Sequence, residues 1–372
     1  VKFRSERDTL VEALTISGRA ATTRSAAAPA LSGVHLTTTG NQLSLVGTDQ
    51  DLTIRNTQEV IGIEDGSCVV PARLASDIVR SLEAGAVTVE LKDETIEISS
   101  ARARFSLRTF PLISFPTLTE PPAPSMNVPA ASLDEGLRQV VRAASKDDAR
   151  PLLTGVLLTQ QDGAIRLVAT DSYRLALRDL VGTAALGTGE DILVPARALS
   201  ELQRLPAPNS DEGSGAPAIG VAPGATDITF SVGSVSITTR LLDGSYPDYR
   251  QLIPDSYPNR LHVGKESILS ALRRVRLLVQ DNTNNVKLSL REGGVDLSVT
   301  SQEIGDASET VDGDYTGEPM VIAFNPNYLI DGIEAVADDE VYLETAEPSR
   351  PATIRAASSD DFRYLLMPVR VP

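Results

Sequence analysis

The sequence predicts an α+β protein built from three copies of one fold, each with two helices packed on antiparallel strands. Two repeated landmarks carry that prediction: a hairpin signature and a helix opened by proline. Ser32-Gly33-Val34-His35-Leu36-Thr37 runs on to Leu43-Ser44-Leu45-Val46-Gly47-Thr48-Asp49. The same pattern returns 122 positions later, without a gap, as Thr154-Gly155-Val156-Leu157-Leu158-Thr159 and Ile165-Arg166-Leu167-Val168-Ala169-Thr170-Asp171. A fainter third copy reads Val286-Lys287-Leu288-Ser289-Leu290 and Val295-Asp296-Leu297-Ser298-Val299-Thr300-Ser301. Each alternates apolar and polar residues across a short break, which marks a β-hairpin with one buried face.

In chain order, each copy opens with a helical pattern, over 6–18, 132–146 and 265–279. The hairpin follows, and then a second helix. Val70-Pro71-Ala72-Arg73-Leu74, Val194-Pro195-Ala196-Arg197-Ala198 and Phe324-Asn325-Pro326-Asn327 open that helix. Proline suits a helix start, where its missing N–H has no intrahelical partner to lose. More strands complete each copy. The period of roughly 120 residues is far longer than the 20–50 of solenoid repeats, so three whole domains are expected. Pro121-Pro122-Ala123-Pro124 and Ile253-Pro254-Asp255-Ser256-Tyr257-Pro258 supply the joints. They set the expected boundaries at 1–124, 125–254 and 255–372. Residues 209–218, rich in Gly, Ser, Asp and Pro, read as a surface loop inside the second copy.

Composition agrees with several cores rather than one. The chain has 372 residues, 41% of them hydrophobic but only 4% aromatic and no Trp, so Leu, Val, Ile and Ala must fill the interior. A single cysteine, Cys68, excludes a disulfide framework, and His35 and His262 stand too far apart for a zinc-hydrolase motif. No cofactor or metal is expected. No apolar run reaches the length of a membrane span, and the charged first eight residues do not resemble a signal peptide. A soluble cytoplasmic protein is the expectation. The acidic groups Asp49-Gln50-Asp51, Asp147-Asp148 and Asp338-Asp339-Glu340 read as turns or solvated edges, because no histidine or third acid stands at ligand spacing. Thr170-Asp171 has no nearby histidine, and its repeat at Thr48-Asp49 marks a turn. The chain does not read as an enzyme.

Net charge is −16, which would repel nucleic acid if spread evenly. It is not even. The six helical windows hold 13 basic residues against 10 acidic ones, so the acid excess sits outside the helices. Arg138, Arg142 and Lys146, at four-residue spacing, would share one helical face, and Arg273, Arg274 and Arg276 add to the basic character.

Three segments, together with the repeats, resemble the bacterial sliding clamps, the β subunits of the replicative DNA polymerase III holoenzyme. They are Thr170-Asp171-Ser172-Tyr173-Arg174-Leu175-Ala176, Asp243-Gly244-Ser245-Tyr246-Pro247-Asp248-Tyr249 and Tyr364-Leu365-Leu366-Met367-Pro368-Val369-Arg370. The likeness spans essentially the whole chain. It departs at Ser172-Tyr173, at Gln251 and at Pro151-Leu152, where clamps often carry Gly-His, a base and an aromatic pair. The resemblance implies clamp domains, six of which form a ring as a head-to-tail homodimer around duplex DNA. Twelve helices about 9 Å apart would make a circle roughly 35 Å across, wide enough for a duplex once a helix diameter of about 10 Å is removed.

The resemblance also implies sites. A peptide-binding groove would use Leu153, Thr170, Tyr173, Arg174, Leu175, Pro247, Leu252 and the terminal Leu365, Leu366, Met367, Pro368, Val369 and Arg370. Arg24, Arg73, Arg80, Arg138, Arg142, Lys146, Arg197, Arg204 and Arg274 would face sequence-independent double-stranded DNA. Arg102, Arg104, Phe105 and Leu107 would meet Leu277, Leu278, Glu303 and Glu309 of the other subunit. The implied partners are a second copy, the polymerase catalytic subunit, the clamp loader and other proteins with clamp-binding motifs. The alternatives are a peptide-binding scaffold that never meets DNA and a specialised second clamp.

Overall fold

The computed structural model describes residues 1–22, 27–161, 163–183, 191–206, 217–254, 256–279, 285–301 and 304–370. Arg24, Glu303 and residues 209–216 of the expected loop lie outside them. By its internal contacts the chain divides into two compact units: Val1–Ala131 with Arg197–Leu241, and Ser132–Ala196 with Leu242–Pro372. The middle repeat is shared between them.

The first unit holds an eight-stranded and a five-stranded antiparallel sheet. The expected hairpin is present as Gly33–Thr39 and Gln42–Thr48, with His35 opposite Val46. The strand Leu52–Glu59 continues that sheet by pairing with Val235–Arg240 of the middle repeat. Helices α1 (Arg7–Gly18) and α2 (Ala72–Ser81) pack against the sheets. In α1 the buried residues are Leu10, Ala13, Leu14, Ile16 and Ser17; four of them follow the 3–4 spacing of one helical face, and Ile16 widens it. Each fully buried Leu contributes about 2 kcal/mol. Ser17 donates to the Leu45 carbonyl at 3.1 Å, and a methyl on Gly47 would lie 1.9 Å from the Ser17 carbonyl oxygen. Only glycine lets helix and strand approach so closely. Cys68 is buried in this core, and burial pushes its thiol up to about 12.

The second unit repeats the plan with a nine-stranded and a four-stranded sheet. Its hairpins are Gly155–Gln161 with Ala164–Thr170, and Val286–Arg291 with Gly294–Ser301. Helix α3 (Ala130–Val140) lies in this unit from Ser132, and α4 (Ala196–Gln203) lies in the first unit from Arg197. Helices α5 (Lys265–Val275) and α6 (Pro326–Ala335) complete the six among the described residues. Asn325 caps α6 by accepting from the backbone N–H of Asn327 at 2.9 Å.

Two helical expectations were too long. The α3 hydrogen-bond ladder ends at Val140; Arg142 sits in a following 3-10 turn and Lys146 lies beyond it. Arg138, Arg142 and Lys146 therefore do not share a helical face. The α5 helix stops at Val275, and a 3-10 turn, Arg276–Leu278, carries Leu277 and Leu278. No helix among the described residues is long and apolar enough to cross a membrane.

Candidate functional site

The site begins with a turn. Thr170 Oγ1 donates to the Arg174 carbonyl at 2.6 Å and accepts from the Ser172 N–H at 3.1 Å. One Asp171 carboxylate oxygen accepts from the N–H groups of Tyr173 (2.9 Å) and Arg174 (3.0 Å). Ser172 takes a φ of 79°, a conformation that short polar residues tolerate in such turns. The result reverses the chain and leaves Tyr173 59% exposed.

Arg174 is buried and fully engaged. It donates to Asp171 at 2.9 Å, to Asp331 at 2.6 Å and to the Arg142 carbonyl, and its guanidinium lies 4.3 Å from the centre of the Tyr328 ring. Tyr364, whose hydroxyl burial pushes up, donates to the Tyr328 carbonyl at 2.9 Å. Arg174 thus ties turn, α6 and last strand together. It is a positioning residue, not a free polar contact for a ligand. Beside it a cavity of about 400 Å³ opens between Lys146, Arg150, Tyr173 and Tyr328.

From the turn the strand Arg174–Leu180 pairs with the chain's last strand, Phe362–Leu366, placing Leu175 opposite Leu365. The tail continues: the Met367 N–H donates to the Tyr173 carbonyl and the Val369 N–H to the Ala323 carbonyl, at 2.9 and 2.8 Å. Leu157, Val168, Leu175, Leu177, Leu193, Tyr249 and Leu365 form a buried apolar cluster in the strands of this sheet and the connector. Leu152, Leu242, Tyr246 and Ile253 pack half-buried against it. Gly244, at φ 136°, turns the 242–253 connector over Leu152. Burial pushes the Tyr246 hydroxyl up as well.

The expected groove residues therefore divide. Tyr173, Pro247, Leu252, Met367, Val369 and Arg370 are exposed, and Pro368 is partly so. Leu153, Thr170, Leu175, Leu365 and Leu366 are buried; Leu366 has no exposed surface, so it seals the interior and cannot line an open groove. Sequence reasoning missed Leu157, Val168, Leu177, Leu193, Tyr249 and Tyr328. For Leu157 and Val168 the signal was the alternation of the repeated hairpin, in which they stand opposite each other on one face.

The expected basic residues are also sorted. Arg138 and Lys146 are exposed and make no ion pair among the described residues, and the Arg73 side chain is 97% exposed, 3.7 Å from Asp77. Arg80 pairs with Asp77, Arg204 with Glu201, and Arg197 with Asp49. Arg142 is the clearest correction: it is half-buried between Asp331 (3.6 Å) and Glu334 (3.5 Å) and is not an open cation. Arg274 and Glu309, expected at different surfaces, form a two-pronged ion pair with each other, which lowers the Glu309 carboxyl.

Two sheet edges complete the picture, each in its own unit. The strand Ala103–Arg108 is the edge of the five-stranded sheet, with Phe105 37% exposed and Leu107 buried. Arg102 lies in the turn before it, and Arg104 pairs with Glu97 at 3.4 Å. The strand Gly305–Asp312, carrying Glu309, is the edge of the four-stranded sheet. Leu277, in the other unit from Phe105, is 81% exposed. The acidic groups are consumed locally: Asp49 and Asp147 accept backbone N–H groups in turns, and Asp338 accepts from Ser358. No cluster of His, Cys, Asp and Glu suited to a metal occurs among the described residues.

Repeated units of helices packed on continuous antiparallel sheets define the clamp class of proteins. Family models agree: the N-terminal, central and C-terminal domains of the DNA polymerase III beta subunit match residues 1–119, 127–248 and 250–370. The chain belongs to the beta sliding clamp family. It is 30% identical over 385 residues to the beta sliding clamp of Streptomyces coelicolor, covering all of both chains. The crystal structure of the Bacillus subtilis DNA polymerase sliding clamp superposes with a TM-score of 0.90 at 29% identity, over 100% of this chain and 99% of that one. A Bartonella birtlesii sliding clamp bound to griselimycin gives 0.91 at 30% identity, over 100% and 99%.

Proposed function

We propose that two copies of this chain close head to tail into a ring around duplex DNA and tether the replicative polymerase to it. The polymerase catalytic subunit, the clamp loader and other proteins with clamp-binding motifs would dock in the groove beside Met367. The observation that carries this reading is the tail. Its last strand is buried in one sheet and Val369 bridges to another, yet Met367 and Val369 remain 40% and 36% exposed, with the Met367 N–H bonded to the Tyr173 carbonyl. Apolar side chains left open beside a buried strand suit a partner's side chains, and the flexible thioether of Met367 adapts to several of them. Family membership supports the remainder. The domains would be 1–124, 125–254 and 255–372, and the protein would act in the cytoplasm without catalysis.

Ring closure would join the edge carrying Phe105 and Leu107 to the edge carrying Glu309, near Leu277 and Leu278. Pairing would satisfy two rows of open backbone groups. Arg73, Arg138 and Lys146 are the best candidates for phosphate contact, which would fall with salt and ignore sequence. The deciding experiment loads the protein onto nicked circular DNA with a clamp loader and then cuts the circle. Release on cutting is expected; retention on linear DNA with open ends would overturn the ring. Sedimentation of a Leu277→Asp, Leu278→Asp variant should give monomers, and an intact dimer would reject that interface. A peptide scaffold that ignores DNA would bind the peptide but never be retained on the circle.

A further inference from the structure

The first repeat carries the same sheet face as the groove of the second, with different chemistry on it. In the second repeat Leu193, Leu157, Val168 and Leu177 stand directly opposite one another across four strands. In the first, the same register places Val69, His35, Val46 and Arg55 in that row. The connector repeats too: Ser114-Phe115-Pro116 stands where the second copy has Ser245-Tyr246-Pro247. Phe115 is buried, with its ring 5.2 Å from that of His35. Under this connector lies a hollow of about 580 Å³, a size ordinary for ligand sites.

Its cation is already matched by a side-chain carboxylate of the chain itself. Arg55, 17% exposed, pairs at 3.2 Å with Glu120, which is 81% exposed and belongs to the connector itself. Burial, with Arg55 nearby, holds His35 below the ordinary imidazole range, so Arg55 is the cation of the hollow at neutral pH. Leu112 and Ile113 stand at the connector, 47% and 95% exposed. An ion pair whose acid is so exposed contributes little and exchanges easily. We propose that this hollow is a second docking site, which takes an acidic segment of a partner protein. The partner's carboxylate replaces Glu120 on Arg55, and a neighbouring apolar side chain packs against Phe115 and Leu112. At physiological salt the chain's net negative charge is screened beyond about 8 Å, so the local guanidinium decides.

The chain has two histidines, which makes the test direct. Protein labelled at histidine, carrying Met367→Ala to disable the groove, is titrated with the capped peptide Gly-Glu-Leu-Gly and with its Gln counterpart while both ring signals are followed. The Glu peptide should shift His35 saturably, at about millimolar strength, and leave His262 still. The Gln peptide should bind about tenfold more weakly, and Glu120→Gln should tighten the Glu peptide about threefold by removing the competitor. Arg55→Gln should abolish the shift. A silent His35 signal, equal response to both peptides, or unchanged affinity in Glu120→Gln would overturn the proposal.

Discussion

Thr48-Asp49-Gln50 and Thr170-Asp171-Ser172 fold into the same turn from the same two side chains. Thr48 and Thr170 each accept from the N–H two residues on, and Asp49 and Asp171 each accept from the N–H three residues on. The third residue has a φ of 83° in one and 79° in the other. The difference lies one step further. Leu52 follows in the first repeat and is simply buried; Arg174 follows in the second and binds two carboxylates and a carbonyl. The facing row differs in the same way, with His35 and Arg55 against Leu157 and Leu177. Backbone geometry is thus common property of the two repeats, and a few side chains laid on it give each its own chemistry.

The largest break in that comparison is Leu177→Arg, which writes the first repeat's cation into the apolar floor of the second. Arg363 stands opposite, so the new charge has a like neighbour. Loss of about 3–5 kcal/mol in denaturant unfolding is expected, and peptide binding should vanish. Arg174→Leu makes the second turn match the first. It leaves the buried Asp171 carboxylate without its guanidinium, and should cost about 3 kcal/mol. An unchanged denaturation midpoint would show that Arg174 does not hold the turn.

Met367→Ala alters an exposed side chain of the proposed groove. Calorimetry with a polymerase-derived clamp-binding peptide should show affinity reduced about 30-fold, as for a hot-spot residue near 2 kcal/mol, with little change in melting. Undiminished affinity would return the tail to plain packing. The smallest effect belongs to pH. The folded pKa of His35 is lowered, so the unfolded chain binds a proton more readily, and stability falls as pH drops below about 6.5. His35→Leu, which copies Leu157, should flatten that part of the profile between pH 7.5 and 5.5. An identical slope in both proteins would deny the burial of this ring.

Much of this was legible from short stretches of chain. Pro71, Pro195 and Pro326 mark helix starts; alternation marks the hairpins; the repeat of Thr-Asp marks the turn. These signals depend on neighbours within a few residues, whose sterics and hydrogen bonds act before any tertiary contact forms. The groove was legible only in part. Met367 and Tyr173 are exposed, as a docking surface needs, but Leu366 turned inward, because strand alternation on a sheet buried on both faces leaves no open side.

The sequence by itself determined three copies, their elements, an acidic chain with basic helices, and the family. Only the tertiary structure decided which copies share a sheet and which cations stay open. An edge strand can pair with any exposed edge that reaches it, so the pairing of Leu52–Glu59 with Val235–Arg240 has no local code. Arg142 is a basic residue by sequence, yet Asp331, 189 positions away, accepts from it and ends its freedom. Long side chains are neutralised by whatever charge the fold brings within about 4 Å, and spacing along the chain does not encode that distance.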